Sequence, residues 1–144
     1  MINSKWDQRF LDLAHEVSKW SKDPSTQVGA VVCERKQVIS LGYNGFPVGI
    51  DDSRNRLDHR PTKYALVVHG ELNAILNARC DIRGTTLYCT HFPCNECAKA
   101  IINAGIQRVV VPGNDSLRGR ENWLDAHRIS MEMFEEVGIM VDVY

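Results

Sequence analysis

The sequence has no apolar run near the ~20 residues that a membrane helix needs, and no apolar leader at its start. Neither a spanning nor an exported protein is expected. Charge of one sign is also missing: 17 Lys and Arg stand against 18 Asp and Glu, a net of −1. A protein that works on long nucleic acid carries a basic face or stripe, so small substrates are favoured. Five cysteines form no paired framework. With no leader they read as reduced thiols of a cytoplasmic protein. There is no internal repeat and no low-complexity segment. The 144 residues suffice for a single domain, 1–144, with a core that needs no staples.

Within that ordinary composition the apolar pattern sets out the elements. Ile2, Trp6, Phe10, Leu13, Val17 and Trp20 recur at steps of three and four, which predicts a helix over 4–20 with Ser4 and Asp7 as a capping-box variant and the aromatics in the core. His15 falls off the stripe and is expected in solvent. Strands follow over 27–33 and 38–43, joined by a polar turn at 34–37 as a hairpin. The exit, Gly42-Tyr43-Asn44-Gly45-Phe46-Pro47-Val48-Gly49, has the glycines of a backbone that turns sharply or comes close to a ligand. An ordinary loop has the same content. Residues 50–61 mix charges of both signs and read as a solvated loop, and 63–68 as a connector. A helix from His69 to Arg79, a strand over 85–90, a helix over 94–104 closed by Gly105 and a strand over 108–111 come next. Residues 112–119 read as a loop. Trp123, Ala126, Ser130, Met133, Phe134 and Val137 mark one face of a last helix ended by Gly138, and 139–143 is the final strand. His127 on that helix reads as structural. Crossover helices between strands predict a largely parallel sheet covered on both faces, with one antiparallel hairpin and the active crevice at the sheet edge.

Two short stretches carry the chemistry: His69-Gly70-Glu71 and Pro93-Cys94-Asn95-Glu96-Cys97. H-x-E followed by P-C-x-x-C is the signature of the zinc-dependent nucleobase deaminases. Cys94 and Cys97 fall at a helix start, where partial positive charge and free N–H groups favour thiolates. His69 adds a nitrogen. Three protein ligands leave the fourth tetrahedral position for water, as a catalytic zinc requires; a closed structural zinc would recruit Cys89 or Cys80. Glu71, two residues from His69, does not share its helix face and suits a proton carrier beside that water. Cys89, in an alternating strand, reads as a small packed side chain.

On these residues the chain resembles the deoxycytidylate deaminases of the cytidine deaminase-like superfamily. The likeness runs through Ser21-Lys22-Asp23-Pro24, Gln27-Val28-Gly29-Ala30, Gly42-Tyr43-Asn44-Gly45-Phe46-Pro47, His69 to Ile75, and Phe92 to Lys99. It implies a three-layer α/β/α fold with a five-stranded mixed sheet. It also implies hydrolysis of dCMP to dUMP for thymidylate synthesis, one catalytic zinc per chain, and a homo-oligomer, with a hexamer favoured. By the same resemblance Asn44 holds the deoxyribose, with Lys22, Ser25 and Thr26 near the 5′-phosphate. The loop Gly42, Tyr43, Asn44, Gly45 would take a nucleoside triphosphate effector with Mg2+, its glycines leaving N–H groups free for phosphates and Arg54, Arg56, Arg118 or Arg120 adding charge. Those arginines could instead pair with Asp51, Asp52, Asp58 and Glu121. The family is divided between enzymes controlled by dCTP and dTTP and enzymes without that control, and the reading favours control. The family's usual alanine between the histidine and the glutamate is Gly70 here, and the loop after Asn44 lacks the cysteines of a second zinc. Deamination of dCTP, alone or with dCMP, remains an alternative. A tRNA adenosine deaminase would need a basic surface, and a non-catalytic zinc module would have no use for Glu71.

Overall fold

A computed structural model describes residues 4–113 and 121–144, with the side chains of the last helix from 125 onward. Ile2, most of the expected 112–119 loop, Arg118 and Arg120, and the side chains of Glu121 and Trp123 lie outside the described residues.

Helix α1 (Lys5–Ser18) leads into the hairpin β1 (Gly29–Glu34) and β2 (Gln37–Tyr43). Two short helices, α2 (Arg54–Asp58) and α3 (Arg60–Leu66), precede α4 (Gly70–Asn77), β3 (Thr86–Cys89), α5 (Asn95–Asn103), β4 (Arg108–Val111), α6 (Glu121–Val137) and β5 (Met140–Val143). The strands form one sheet in the order β2-β1-β3-β4-β5. β1 runs antiparallel to both neighbours, and β3, β4 and β5 are parallel. The mixed sheet matches the expectation, with β1 as its one reversed strand.

Alternation along the strands makes the two faces. Ala30, Val32, Leu87, Cys89, Val109 and Val111 join Ala74 of α4, Ala98 and Ile101 of α5 and Phe134 of α6 in one core. Val31, Cys33, Tyr88 and Val110 meet Phe10, Leu11 and Ala14 of α1 on the other side. Period-two side chains between two helical layers explain why the strands read as nearly continuous apolar runs.

Three expectations need correction. The stretch 50–68 is not loop and connector but contains α2 and α3; Leu57 is buried as the apolar anchor of α2, and Pro61 stands in the first turn of α3, where its missing N–H costs nothing. Trp20 is not core. The helix ends at Ser18, so Trp20 leaves the 3.6-residue period, is 53% exposed, and meets Tyr43 edge-on at 6.0 Å. Val137 is likewise exposed, because the buried stripe of α6 runs through His127, Ser130 and Phe134. The Ser4–Asp7 capping-box variant does form: the Asp7 N–H donates to Ser4 Oγ at 3.0 Å and the Ser4 N–H bonds the Asp7 carboxylate, which also turns inward to Arg108 and Tyr88.

Candidate metal centre

The metal site is built at two helix starts. His69 is the N-cap of α4 and Cys94 the N-cap of α5, each with extended backbone and neither with its side chain bonded back to the helix. Their side chains are therefore left to face one another. Cys97 enters one turn later from the buried side of α5. His69 Nδ1 lies 3.4 Å from Cys94 Sγ and 3.4 Å from Cys97 Sγ. Zinc bonds of about 2.0–2.3 Å at tetrahedral angles demand edges of roughly 3.5–3.8 Å, so this triangle fits the ion, with Nδ1 the imidazole nitrogen that faces the two sulfurs. It is the one such cluster among the described residues. Cys80 is exposed and Cys89 fully buried against the core, so neither joins it.

Electrostatics point the same way. The hydrogen bond from Cys97 holds the Cys94 thiol down to about 4, helped by His69, while that same bond, together with burial, pushes Cys97 up. The bond to Cys94 raises His69. Two sulfurs and an imidazole brought together in this way are a donor set suited to zinc. Glu71, in the first turn of α4 and 4% exposed, sits beside the triangle, bonded to Cys97, without joining it. Burial pushes its carboxyl up, with His69 partly opposing. A raised carboxylate at a metal is what proton transfer near neutral pH calls for. His127 is buried on α6, with its ring centroid 5.3 Å from that of Phe92, and burial lowers its pKa.

The residues expected to meet the nucleotide form a loop beside this centre. Asn44 is buried; its Oδ1 accepts from Val28 N at 2.8 Å, and its amide donates to Thr26 O at 2.9 Å and Asp23 Oδ2 at 3.5 Å. Ser25 and Thr26 donate their N–H groups to Asp23 Oδ1. Lys22 is exposed and pairs with Asp52 at 3.0 Å. Asn44 is thus the hub of the loop that carries Lys22, Ser25 and Thr26.

The glycine loop differs in its reason. A Cβ on Gly42 would fall 2.2 Å from Ala74 N, so this glycine lets α4 pack on β2 rather than admitting a ligand. The Asn44 and Gly45 N–H groups are not free: they donate to Val28 O at 3.3 Å and Val68 O at 3.1 Å. Asn73, four residues after His69, donates to Tyr43 O at 2.8 Å and fixes the other end of the loop.

Sequence reasoning missed Lys63. Its ammonium is buried and pairs with Asp23 Oδ1 at 3.2 Å. The only signal was a lysine at the apolar step of Leu57 to Lys63 to Leu66, which charge alone would assign to solvent.

Residues 4–112 match the model of the cytidine and deoxycytidylate deaminase zinc-binding region. The chain is 44% identical over 140 residues to an uncharacterized deaminase in the luxG 3′ region of Aliivibrio fischeri, covering 96% of this chain and 92% of that one. It is 43% identical over 116 residues to the human deoxycytidylate deaminase, covering 74% of this chain and 64% of the human one. Among solved structures, the dCMP deaminase of cyanophage S-TIM5 in complex with dCMP and dUMP superimposes with a TM-score of 0.79 over the whole of both chains at 22% identity, a likeness of fold.

Proposed function

The chain belongs to the zinc-binding cytidine and deoxycytidylate deaminases, and from that membership we propose that it hydrolyses dCMP to dUMP and ammonia, as a single catalytic domain over 1–144. The observation that carries the reading is a buried carboxylate, Glu71, beside three converged ligand atoms and not among them. A structural site has no such group. The named relatives support the choice of dCMP within the family.

His69, Cys94 and Cys97 would hold the zinc, which when bound supplies Lewis acidity that brings the pKa of water from 15.7 towards ~7. Glu71 takes a proton from the attacking water and passes it to N3 of the pyrimidine. A second transfer through the same carboxylate goes to the amine. The C4–O bond forms, the C4–N bond breaks, ammonia leaves, and Glu71 returns to its starting state. Burial of Glu71 keeps bulk water from competing for these protons.

Asn44, with the loop it holds, recognises the deoxyribose, and Lys22, Ser25 and Thr26 the phosphate. The large side chains Tyr43, Val48, Tyr64 and Leu76 are exposed, and they support a homo-oligomer, for which light scattering gives the mass. An effector triphosphate with Mg2+ would not be held by the amides of Asn44 and Gly45, which are engaged within the chain. No helix among the described residues is long and apolar enough to cross a membrane. Ammonia release from dCMP, dCTP, deoxycytidine and CMP tests the assignment: dCMP is expected to have the highest kcat/KM. Zinc-loaded protein that releases ammonia from none of the four sinks it.

A further inference from the structure

The ion pair between Asp23 and Lys63 joins segments 40 residues apart in sequence and is nearly closed to water on both sides, with side-chain exposures of 9% and 5%. Burial pushes the Asp23 carboxyl up, but the Ser25 and Thr26 N–H groups and the Lys63 ammonium outweigh it and hold it below the usual carboxylate range. A buried pair of this kind gains little net stability over apolar residues of the same volume. Its retention calls for another reason, and its position supplies one.

Asp23 shapes the loop from Ser21 to Val28 by accepting the N–H groups of Ser25 at 2.8 Å and Thr26 at 3.1 Å. Asn44 then fastens that loop through Thr26 O and Val28 N, while Ser21 Oγ donates to Asn44 O at 2.8 Å. The far end of the loop abuts the metal centre: a Cβ on Gly70, the residue between His69 and Glu71, would lie 3.0 Å from Val28 O and 3.4 Å from Asn44 N. The next residue after Asn44, Gly45, bridges to Val68, which precedes His69. One continuous set of contacts therefore runs from α3 through Lys63, Asp23 and Asn44 to the start of α4. Lys63 ties α3 to the loop at Asp23, while Asn44 holds the same loop at Thr26 and Val28.

We propose that Asp23 and Lys63 are positioning residues that tether the Ser21–Val28 loop to α3 and thereby set selectivity for the phosphorylated over the unphosphorylated deoxynucleoside. The proposal rests on the deaminase reading above and deepens it. The pair touches no reacting atom. It fixes where Lys22, Ser25 and Thr26 stand when the 5′-phosphate arrives, so its loss falls on binding of dCMP and not on the chemical step.

The test uses the full chain loaded with zinc. Lys63→Met leaves Asp23 buried and unpaired, so the decisive variant is the double Asp23→Asn/Lys63→Met, which leaves no buried charge and keeps an oxygen for the Ser25 and Thr26 N–H groups. Expected are one zinc per chain, kcat for dCMP within about threefold of the parent, and KM for dCMP raised ~10-fold or more, with kcat/KM for deoxycytidine changed by less than about threefold. Amide exchange over 21–28 rises at least ~10-fold, a readout that needs no turnover. An unchanged ratio of dCMP to deoxycytidine kcat/KM overturns the proposal, as does an equal fall for both substrates. So does a double variant that loses zinc or fails to fold, since the pair would then support the whole domain. A parent enzyme that binds zinc and deaminates neither substrate refutes the activity instead, and unchanged exchange over 21–28 then refutes the tether separately.

Discussion

Asp7 and Glu71 are two carboxylates nearly closed to water, 3% and 4% exposed, on opposite faces of one sheet, and their acidities are driven in opposite directions. Asp7 accepts from Arg108 Nη1 and Nη2, each at 2.9 Å, and from Tyr88 Oη at 2.7 Å; Arg108 Nε donates to Asp142 at 2.6 Å. Hydrogen bonds from Arg108 hold the Asp7 carboxyl at about 2. Glu71 has no cation of that kind, and burial raises it. The difference separates a structural charge from a working one. Around Asp7 every strong donor has an acceptor, the charge is permanent, and the cluster ties α1 to β3, β4 and β5. Around Glu71 protonation is left open, beside a set of ligand atoms that fits a metal ion.

The contrast is broken most severely at the metal centre. His69→Ala, Cys94→Ala or Cys97→Ala is expected to remove the zinc, whereas Cys33→Ser and Cys80→Ser keep it; elemental analysis of purified protein decides. Glu71→Gln should keep zinc and fold but lose ~10² to 10⁴ in turnover, because it removes the proton carrier and no ligand. Normal turnover in Glu71→Gln would give the proton to another group.

On the opposite face the same kind of removal should act on stability and not on chemistry. Arg108→Met leaves Asp7 and Asp142 buried without their cation, at a cost of about 3–5 kcal/mol. For a chain of this length that lowers Tm by roughly 10 °C. Zinc content and KM for dCMP at low temperature should stay as in the parent. A matching loss of zinc would erase the division between the two carboxylates.

A smaller effect follows from the direction of the Asp7 shift. A carboxyl near 3.8 when unfolded and about 2 when folded contributes stability that is fully present above the unfolded value. That contribution, about 2–3 kcal/mol, is lost as pH falls from about 4 through 2. Urea unfolding across that range should show a slope in the parent that Asp7→Asn flattens. An identical slope in both proteins would move the acid sensitivity to other groups.

How much of this was legible in the sequence divides along the same line. The zinc triangle could be read because its members lie at fixed short offsets from helix starts, and periodicity located all five strands to within two residues. The Asp7–Arg108 pair spans 101 positions and the Asp23–Lys63 pair 40, distances over which no local pattern acts. A rule that sends charge to solvent misplaces Asp7, Lys63 and Arg108 alike. The α2–α3 stretch was missed for a related reason: with Leu57 as its main apolar anchor, its composition is that of a loop, and tertiary contacts decide its helicity. Trp20 shows the converse error, since the periodic count continued past the residue where the helix ends.

The smallest expected effect tests how tightly the loop and the metal centre are joined. Gly70→Ala replaces the poorest ordinary helix former with the best, a gain of up to about 1 kcal/mol in a helix interior and less at the first helical position. Against that gain, the new methyl would stand 3.0 Å from Val28 O and 3.2 Å from Val28 Cγ1, so Val28 must yield by a few tenths of an ångström. The two terms nearly cancel, and stability should change by less than about 1 kcal/mol. The displacement itself does not cancel. Val28 accepts the N–H of Asn44 at 3.3 Å and donates its own to Asn44 Oδ1, so a moved Val28 moves the hub of the nucleotide loop. KM for dCMP should rise a few-fold, about 2–5, at constant kcat, the pattern of lost binding and not of lost chemistry. Gly42→Ala is the control at the harsher contact, 2.2 Å from backbone, and should destabilise outright. A Gly70→Ala enzyme with unchanged KM would mean that Val28 yields without carrying Asn44, and the loop would then be independent of the helix that starts at the zinc ligand.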